Sequence, residues 1–352
     1  MTRRGLVRNF AATDNLEVFL VAAVTAVLGI RLFLYLAGYP AVGGQTLHLA
    51  HLLWGGLLML AAIVLLLAYL GATAERAAAA LGGLGFGTFL DEIGKFVTRD
   101  NDYFYEPAVA LIYATFVGLF LLRHTFRTRQ SYTPGEYLVN ALRELGEAAR
   151  HDLDPAEKAR AVRYLEQSEF GHPLVAALGP ALAGLAPIPL PAPSRFARAR
   201  ARLRALYLWS VRVPGFERLL TAFFIFQLLV KLAYGVVLVL LVGFGWEQIL
   251  TVRLVGRLVG RLQNLSVAGW TELLASGLAG VFVLFGVLRI RRSRLAAYLM
   301  FERAILTSLL LVQVFGFYRE QFAALVELTF NLVILAALKY GVGVERERAR
   351  LV

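Results

Sequence analysis

Cysteine is absent from all 352 residues, which excludes disulfides, thiolate catalysis and any cysteine-ligated zinc or iron–sulfur centre. Charge is also scarce: Asp, Glu, Lys and Arg make up 17% of the chain, against about 25% in soluble domains. Acid is scarcer than base, with 24 Asp and Glu facing 36 Lys and Arg, for a net charge of +12. The chain has no P-loop pattern, no glycine-rich dinucleotide loop after a strand and no potassium-filter sequence. What dominates is apolar, with 59% hydrophobic residues and a mean hydropathy of +0.65. That is too much for one ordinary core. It collects in blocks of about 20 residues, the length a helix needs to cross the hydrocarbon layer. The blocks are too long and too continuous for the alternating strands of an outer-membrane barrel.

This pattern predicts an all-α integral membrane protein of about eight transmembrane helices. They form two four-helix halves, 1–127 and 216–352, with a small helical cytoplasmic insert over 128–215 between them. The spans are expected near 16–37, 47–70, 77–97, 107–122, 219–242, 273–288, 304–317 and 322–339. Arginines flank the apolar blocks, so the basic excess points to anionic lipid headgroups as the partner, and no nucleic acid is expected. With eight spans, Arg3, Arg4 and Arg8, the insert, the loop 289–294 and the tail with Arg346, Arg348 and Arg350 fall on one side. The positive-inside rule makes that side cytoplasmic. The expected location is a bacterial inner (plasma) membrane, multi-pass, with both termini cytoplasmic. The stretch Met1–Asn15 is polar and basic and precedes a full-length apolar block without a small-residue cleavage site, so it reads as the lead-in to a retained span.

Within the insert, Thr133 before Pro134 and Asp154 before Pro155 are N-cap and first-turn signatures, each opening a charged amphipathic helix. A short apolar helix over 174–185, a proline-rich stretch and a basic-then-aromatic helix from Arg195 to Trp209 complete it. That last helix suits a position on the headgroups. The insert reads either as a docking module for a cytoplasmic partner or as a rigid connector. Arg253, Arg257 and Arg261 at four-residue spacing make a cationic stripe, either on a surface-lying helix or on a voltage-sensor-like element. A faint repeat links the halves, with Glu17 and Arg31 in the first matched by Glu217 and Lys231 at the same separation in the second. An even number of spans per half would make this a parallel repeat.

Ionisable residues inside a span cost about 2.5–3.5 kcal/mol each on insertion scales, so each needs a partner or a purpose. Here they gather at one depth of the first half. Arg31 lies in the outer part of the first span, His48 and His51 open the second on one helix face, and Asp91, Glu92 and Lys95 close the third. Asp102 and Glu106 stand in the following loop, and Lys231, Arg319, Glu320 and Glu327 form a sparser echo in the second half. Three readings follow. A transporter or channel-like protein for a small ion or polar solute would use the acidic and histidine groups as a relay or binding site. A non-catalytic scaffold or sensor would bury Arg31 with Asp91 or Glu92 as an ion pair fixing helix register. A metal-dependent membrane hydrolase would hold a divalent ion on His48, His51 and Asp91 with an open position for water. No other cofactor is expected, and no catalytic side chain is assigned. The run Gly82, Gly83, Gly85 and Gly87 beside this cluster permits close helix approach or a break.

The stretch from Gly85 to Pro107, with Phe89-Leu-Asp-Glu-Ile-Gly-Lys-Phe-Val-Thr-Arg-Asp-Asn-Asp-Tyr-Phe-Tyr-Glu-Pro107 at its heart, is the least generic part of the chain. It resembles a motif of an uncharacterised family of bacterial multi-span membrane proteins. The resemblance covers the second to fourth spans and implies a membrane-embedded helical fold, with no activity attached.

Overall fold

The computed structural model describes residues 5–37, 51–97, 105, 107–128, 132–150, 153–169, 171–188, 195–213, 215–243 and 267–350. Among the described residues every regular element is helical and none is a strand. Among the described residues, four helical stretches are long and apolar enough to cross a membrane: Ala12–Leu36, Pro107–Phe126, Gly269–Arg289 and Arg294–Arg348. Leu52–Ala68 and Arg218–Val230 are shorter apolar helices. The cationic stripe at Arg253, Arg257 and Arg261 lies outside the described residues. The chain divides into two units, Met1–Tyr105 with Ala114–Ala192, and Glu106–Tyr113 with Pro193–Val352.

The first unit is built on three helices, α1 (Ala12–Leu36), α2 (His51–Ala68) and α3 (Ala72–Asp91). Small residues dictate how they pack. A Cβ added to Gly83 would run into the Phe19 carbonyl of α1, and one added to Gly87 into that of Ala23. These contacts advance together along both chains, so α1 and α3 run parallel. On another face of α3, a Cβ on Gly85 would lie 2.6 Å from the Gly55 carbonyl of α2, and one on Gly55 would lie 2.7 Å from that of Gly85. Farther along, Gly82 meets Ala62, so α2 runs antiparallel to α3. Gly83 and Gly87 form a small-xxx-small pair, the arrangement that lets helix backbones touch where lipid supplies no hydrophobic drive for association. The outer faces are apolar and open: Leu53, Leu57, Leu60, Ile63, Val64 and Leu67 of α2 are all more than half exposed.

The insert begins beyond α5 (Pro107–Thr128), with α6 (Pro134–Ala149), α7 (Pro155–Glu166) and α8 (Pro173–Gly184). Thr133 and Asp154 cap α6 and α7 through complete capping boxes with Glu136 and Glu157, which satisfy two otherwise orphaned N–H groups at each helix start. Leu138, Ala141, Leu153, Ala161, Leu165 and Leu182 form a small core of their own. The segment ahead of α1 is strapped to this insert. Arg8 donates from Nε and Nη2 to the Glu136 carboxylate at 2.7 and 2.8 Å, and the Phe10 backbone N–H donates to Asn140 Oδ1 at 3.0 Å. The Phe10 ring sits among Tyr132, Tyr137 and Tyr164. Glu75, at the start of α3, receives Asn9, Asn15 and Arg143.

The Arg8 guanidinium, helped by backbone and side-chain donors of Thr133, holds the Glu136 carboxyl well below the usual carboxylate range against an opposing effect of burial. A carboxylate with a lowered folded-state pKa stabilises the fold above its unfolded value of about 4.3, and that contribution is lost as pH falls below it. Limited proteolysis at residues 5–11 should therefore be slow at neutral pH and several-fold faster near pH 3. Glu136→Gln should show the fast rate already at neutral pH. Equal rates for wild type and variant across this range would show that the strap does not depend on the ion pair.

The second unit holds α9 (Arg195–Arg212), α10 (Phe216–Gly243), α11 (Val267–Arg289) and α12 (Arg294–Thr307). The last of these continues through a π-helical turn, Ser308–Val312, into α13 (Gln313–Glu320), then a 3-10 turn at Gln321–Ala324 and α14 (Leu325–Arg350). The 55-residue stretch Arg294–Arg348 would be about 80 Å long if straight. It folds back instead: Tyr298, Phe301 and Ile305 of α12 share a core with Leu335, Leu338 and Val342 of α14. Gln321 makes the reversal at φ 49° and ψ −128°, a conformation that costs a non-glycine residue on the order of 1–3 kcal/mol. Gln313 secures the turn by donating to the Ala324 carbonyl at 2.9 Å. Stacked rings of Phe224 and Phe301, 4.2 Å apart, join α10 to α12.

Candidate functional site

The faces of α3 that pack against α1 and α2 carry two acidic residues to the end of the helix. Gly83, Gly87 and Asp91 are four residues apart and lie on one face, the α1 side. Asp91 there meets Arg31, whose Nε donates to Oδ1 at 2.5 Å and whose Nη2 donates to the Asp91 carbonyl at 3.0 Å. Gly85, Phe89 and Glu92 follow the α2 side. The Glu92 carboxylate accepts the backbone N–H of Leu52, in the first described turn of α2, at 3.0 Å. Asp91 and Glu92 are both fully buried, and the Arg31 side chain is 13% exposed.

Helix α3 also breaks here. Glu92 is a turn residue, and α4 (Ile93–Val97) begins just after it, so the single third span expected from the sequence is two helices. An interrupted helix frees backbone groups, which a membrane would tolerate only where protein or a wet cavity receives them. Two adjacent buried carboxylates at such a break are the most unusual chemistry among the described residues of the first unit.

The remaining expected site residues are placed only in part. Lys95 lies in α4 and His51 opens α2, but neither side chain is described; His48, Asp102 and Glu106 fall outside the described residues. Among the described residues no group of three His, Asp or Glu stands close enough to hold a metal ion. The second-half echo is better defined. Arg319 pairs with Glu272 at 3.2 Å beside the turn at Gln321. Among the described residues, Gln313 Oε1 is buried without a hydrogen-bond donor, and Glu272 Oε2 has the Arg319 Nε beside it without a well-formed hydrogen bond. Glu272 had no signal in the sequence beyond being an acid near the start of an apolar block. The Lys231 side chain is not described.

Sequence reasoning also passed over the ion pair of Arg123 with Glu17, which fastens the C-terminal part of α5 to the start of α1, with Arg123 Nε on the Thr13 carbonyl at 3.3 Å.

No family model, curated protein or solved structure matches the chain.

Proposed function

We propose that the protein is an eight-span membrane transporter for a small cation, with Glu92 as the group that carries or exchanges charge and the Arg31–Asp91 pair as the element that positions it. The observation that carries this reading is the break of α3 at two fully buried carboxylates. Discontinuous helices with polar groups at the interruption recur at ion and substrate sites of secondary transporters. A buried acid exchanges its proton or ion with water only when the packed helices part, so binding and helix movement are tied together. Glu92 follows directly on Asp91, and its carboxylate, which accepts the Leu52 N–H of α2, stands at the helix break itself.

Eight crossings are supported by the four long apolar stretches, the shorter ones in α2 and α10, helix α3 parallel to α1, and the reversal at Gln321 that makes two crossings of the last stretch. In this reading both termini and the insert lie on the cytoplasmic side of a bacterial inner membrane, which the arginine distribution supports.

In sealed vesicles carrying the purified full chain, an imposed membrane potential should drive proton or alkali-cation uptake above that of protein-free vesicles. Glu92→Gln should abolish this uptake while leaving the melting temperature in detergent near that of the wild type. Uptake unchanged in Glu92→Gln would overturn the assignment. A scaffold reading is favoured by one observation, the closure of Arg31 and Asp91 on each other. It becomes the better account if wild-type vesicles carry no current and substitutions at the cluster change stability alone.

A further inference from the structure

A cavity of about 970 Å³ opens at one end of the second unit, where α9 turns into α10, α11 turns into α12 and α14 ends. Five arginines line it: Arg212, Arg218, Arg291, Arg294 and Arg348. Among the described residues no aspartate or glutamate does. Arg348 pairs with Glu345 outside the cavity wall, while among the described residues Arg212, Arg218 and Arg291 meet no carboxylate. The floor is apolar and aromatic, with Val211, Ile225, Tyr298 and Val344, and Tyr298 is 1% exposed. Gly215, at φ +93°, makes the sharp elbow between α9 and α10 that brings Arg212 and Arg218 to the same mouth.

Arg212, Arg218 and Arg291 around one opening repel each other unless an anion sits between them. Arginine is the side chain whose planar fork matches phosphate oxygens two at a time. The size reaches the upper end of small-ligand pockets, and the greasy floor asks for an apolar portion next to the anionic one. We propose that this cavity binds the headgroup of a membrane lipid bearing two phosphates, with the arginines on the phosphates and the upper acyl chains against Val211, Ile225 and Val344. Two phosphates match Arg212, Arg218 and Arg291, the three that meet no carboxylate among the described residues, better than one does. Basic pockets between spans on the cytoplasmic side are where such headgroups are held. The inference takes the cytoplasmic placement of this end from the topology above, but it does not depend on transport.

The test uses the full chain in detergent, with melting temperature and native mass spectrometry as readouts that respond to bound lipid and not to flux. The probes are a diphosphatidylglycerol lipid, a phosphatidylglycerol lipid and inorganic pyrophosphate. The diphosphate lipid should bind with one-to-one stoichiometry, raise the melting temperature, and resist competition by millimolar pyrophosphate. Arg291→Gln with Arg294→Gln should weaken its binding about twentyfold, since each arginine near an anionic headgroup is worth about fivefold. Arg198→Gln with Arg202→Gln, on α9 away from the cavity, should leave binding within about twofold. The substitutions replace exposed side chains, and melting without lipid reports whether the variants fold. The site is refuted if the two double variants lose affinity equally, because attraction would then be general to the basic surface. Equal or tighter binding of pyrophosphate would assign the arginines to a soluble phosphate compound and overturn the lipid. Equal binding of phosphatidylglycerol would overturn the two-phosphate requirement.

Discussion

Placing alanine at Gly87 should lower the stability of the first unit by about 3 kcal/mol, the upper part of the range for overpacking. The obstacle is backbone, because the new methyl group would enter the space of the Ala23 carbonyl. No rotamer change can move it, so α1 and α3 must separate along their length. Gly83→Ala should behave similarly against Phe19. The same substitution at Gly29 or Gly56, where nothing stands within 4 Å, should instead stabilise by about 0.5–1 kcal/mol through helix propensity. Four alanine variants, two on each side of zero, can be compared by thermal melting of the purified protein in one detergent. A Gly87→Ala protein that melts with the Gly29→Ala protein would show that α1 and α3 are not packed through that stripe.

The second large effect concerns Arg31 and Asp91. Asp91 is fully buried and Arg31 nearly so, and removing one member of a buried pair leaves an uncompensated charge, at a cost of about 3–5 kcal/mol. Arg31→Leu and Asp91→Leu should each destabilise by that amount. The double variant Arg31→Leu with Asp91→Leu should recover most of the loss, because well-packed apolar replacements of buried pairs are often neutral or better. Additive losses in the double variant would count against the pair as a unit. The double variant also separates the two functional readings: a folded protein that no longer moves cations assigns the pair to transport, and a folded protein with full transport assigns it to packing.

Local signals in the chain were easy to read, and long-range ones were not. Thr133 and Asp154, each followed by proline and then glutamate, mark helix starts because capping uses neighbours within three residues, and α6 and α7 begin within one residue of the expected places. The glycine run before Asp91 signals close approach, but glycine carries no information about its partner, so Phe19, Ala23 and Gly55 emerge only in three dimensions. Arg31 beside Asp91 was among the expected pairings because few opposite charges lie at that depth. The π turn at Ser308–Val312 was hidden in an unbroken apolar run. The reversal at Gln321 falls in the gap between the stretches expected at 304–317 and 322–339, but Gln321 is not the glycine that its backbone conformation favours. The five-arginine cavity draws on three separate stretches of chain, each of which alone looks like ordinary flanking charge.

The strap formed by Arg8 and Phe10 sets an order of events during synthesis. Its partners, Glu136 and Asn140, lie 128 and 130 positions later, and a chain grows from its N-terminus at about 5–20 residues per second. For roughly the first ten seconds of its existence, then, α1 has a free leading end. Only when α6 leaves the ribosome does that end acquire its clasp, so the earliest helix made waits for four more helices to be completed before its leading end is fastened.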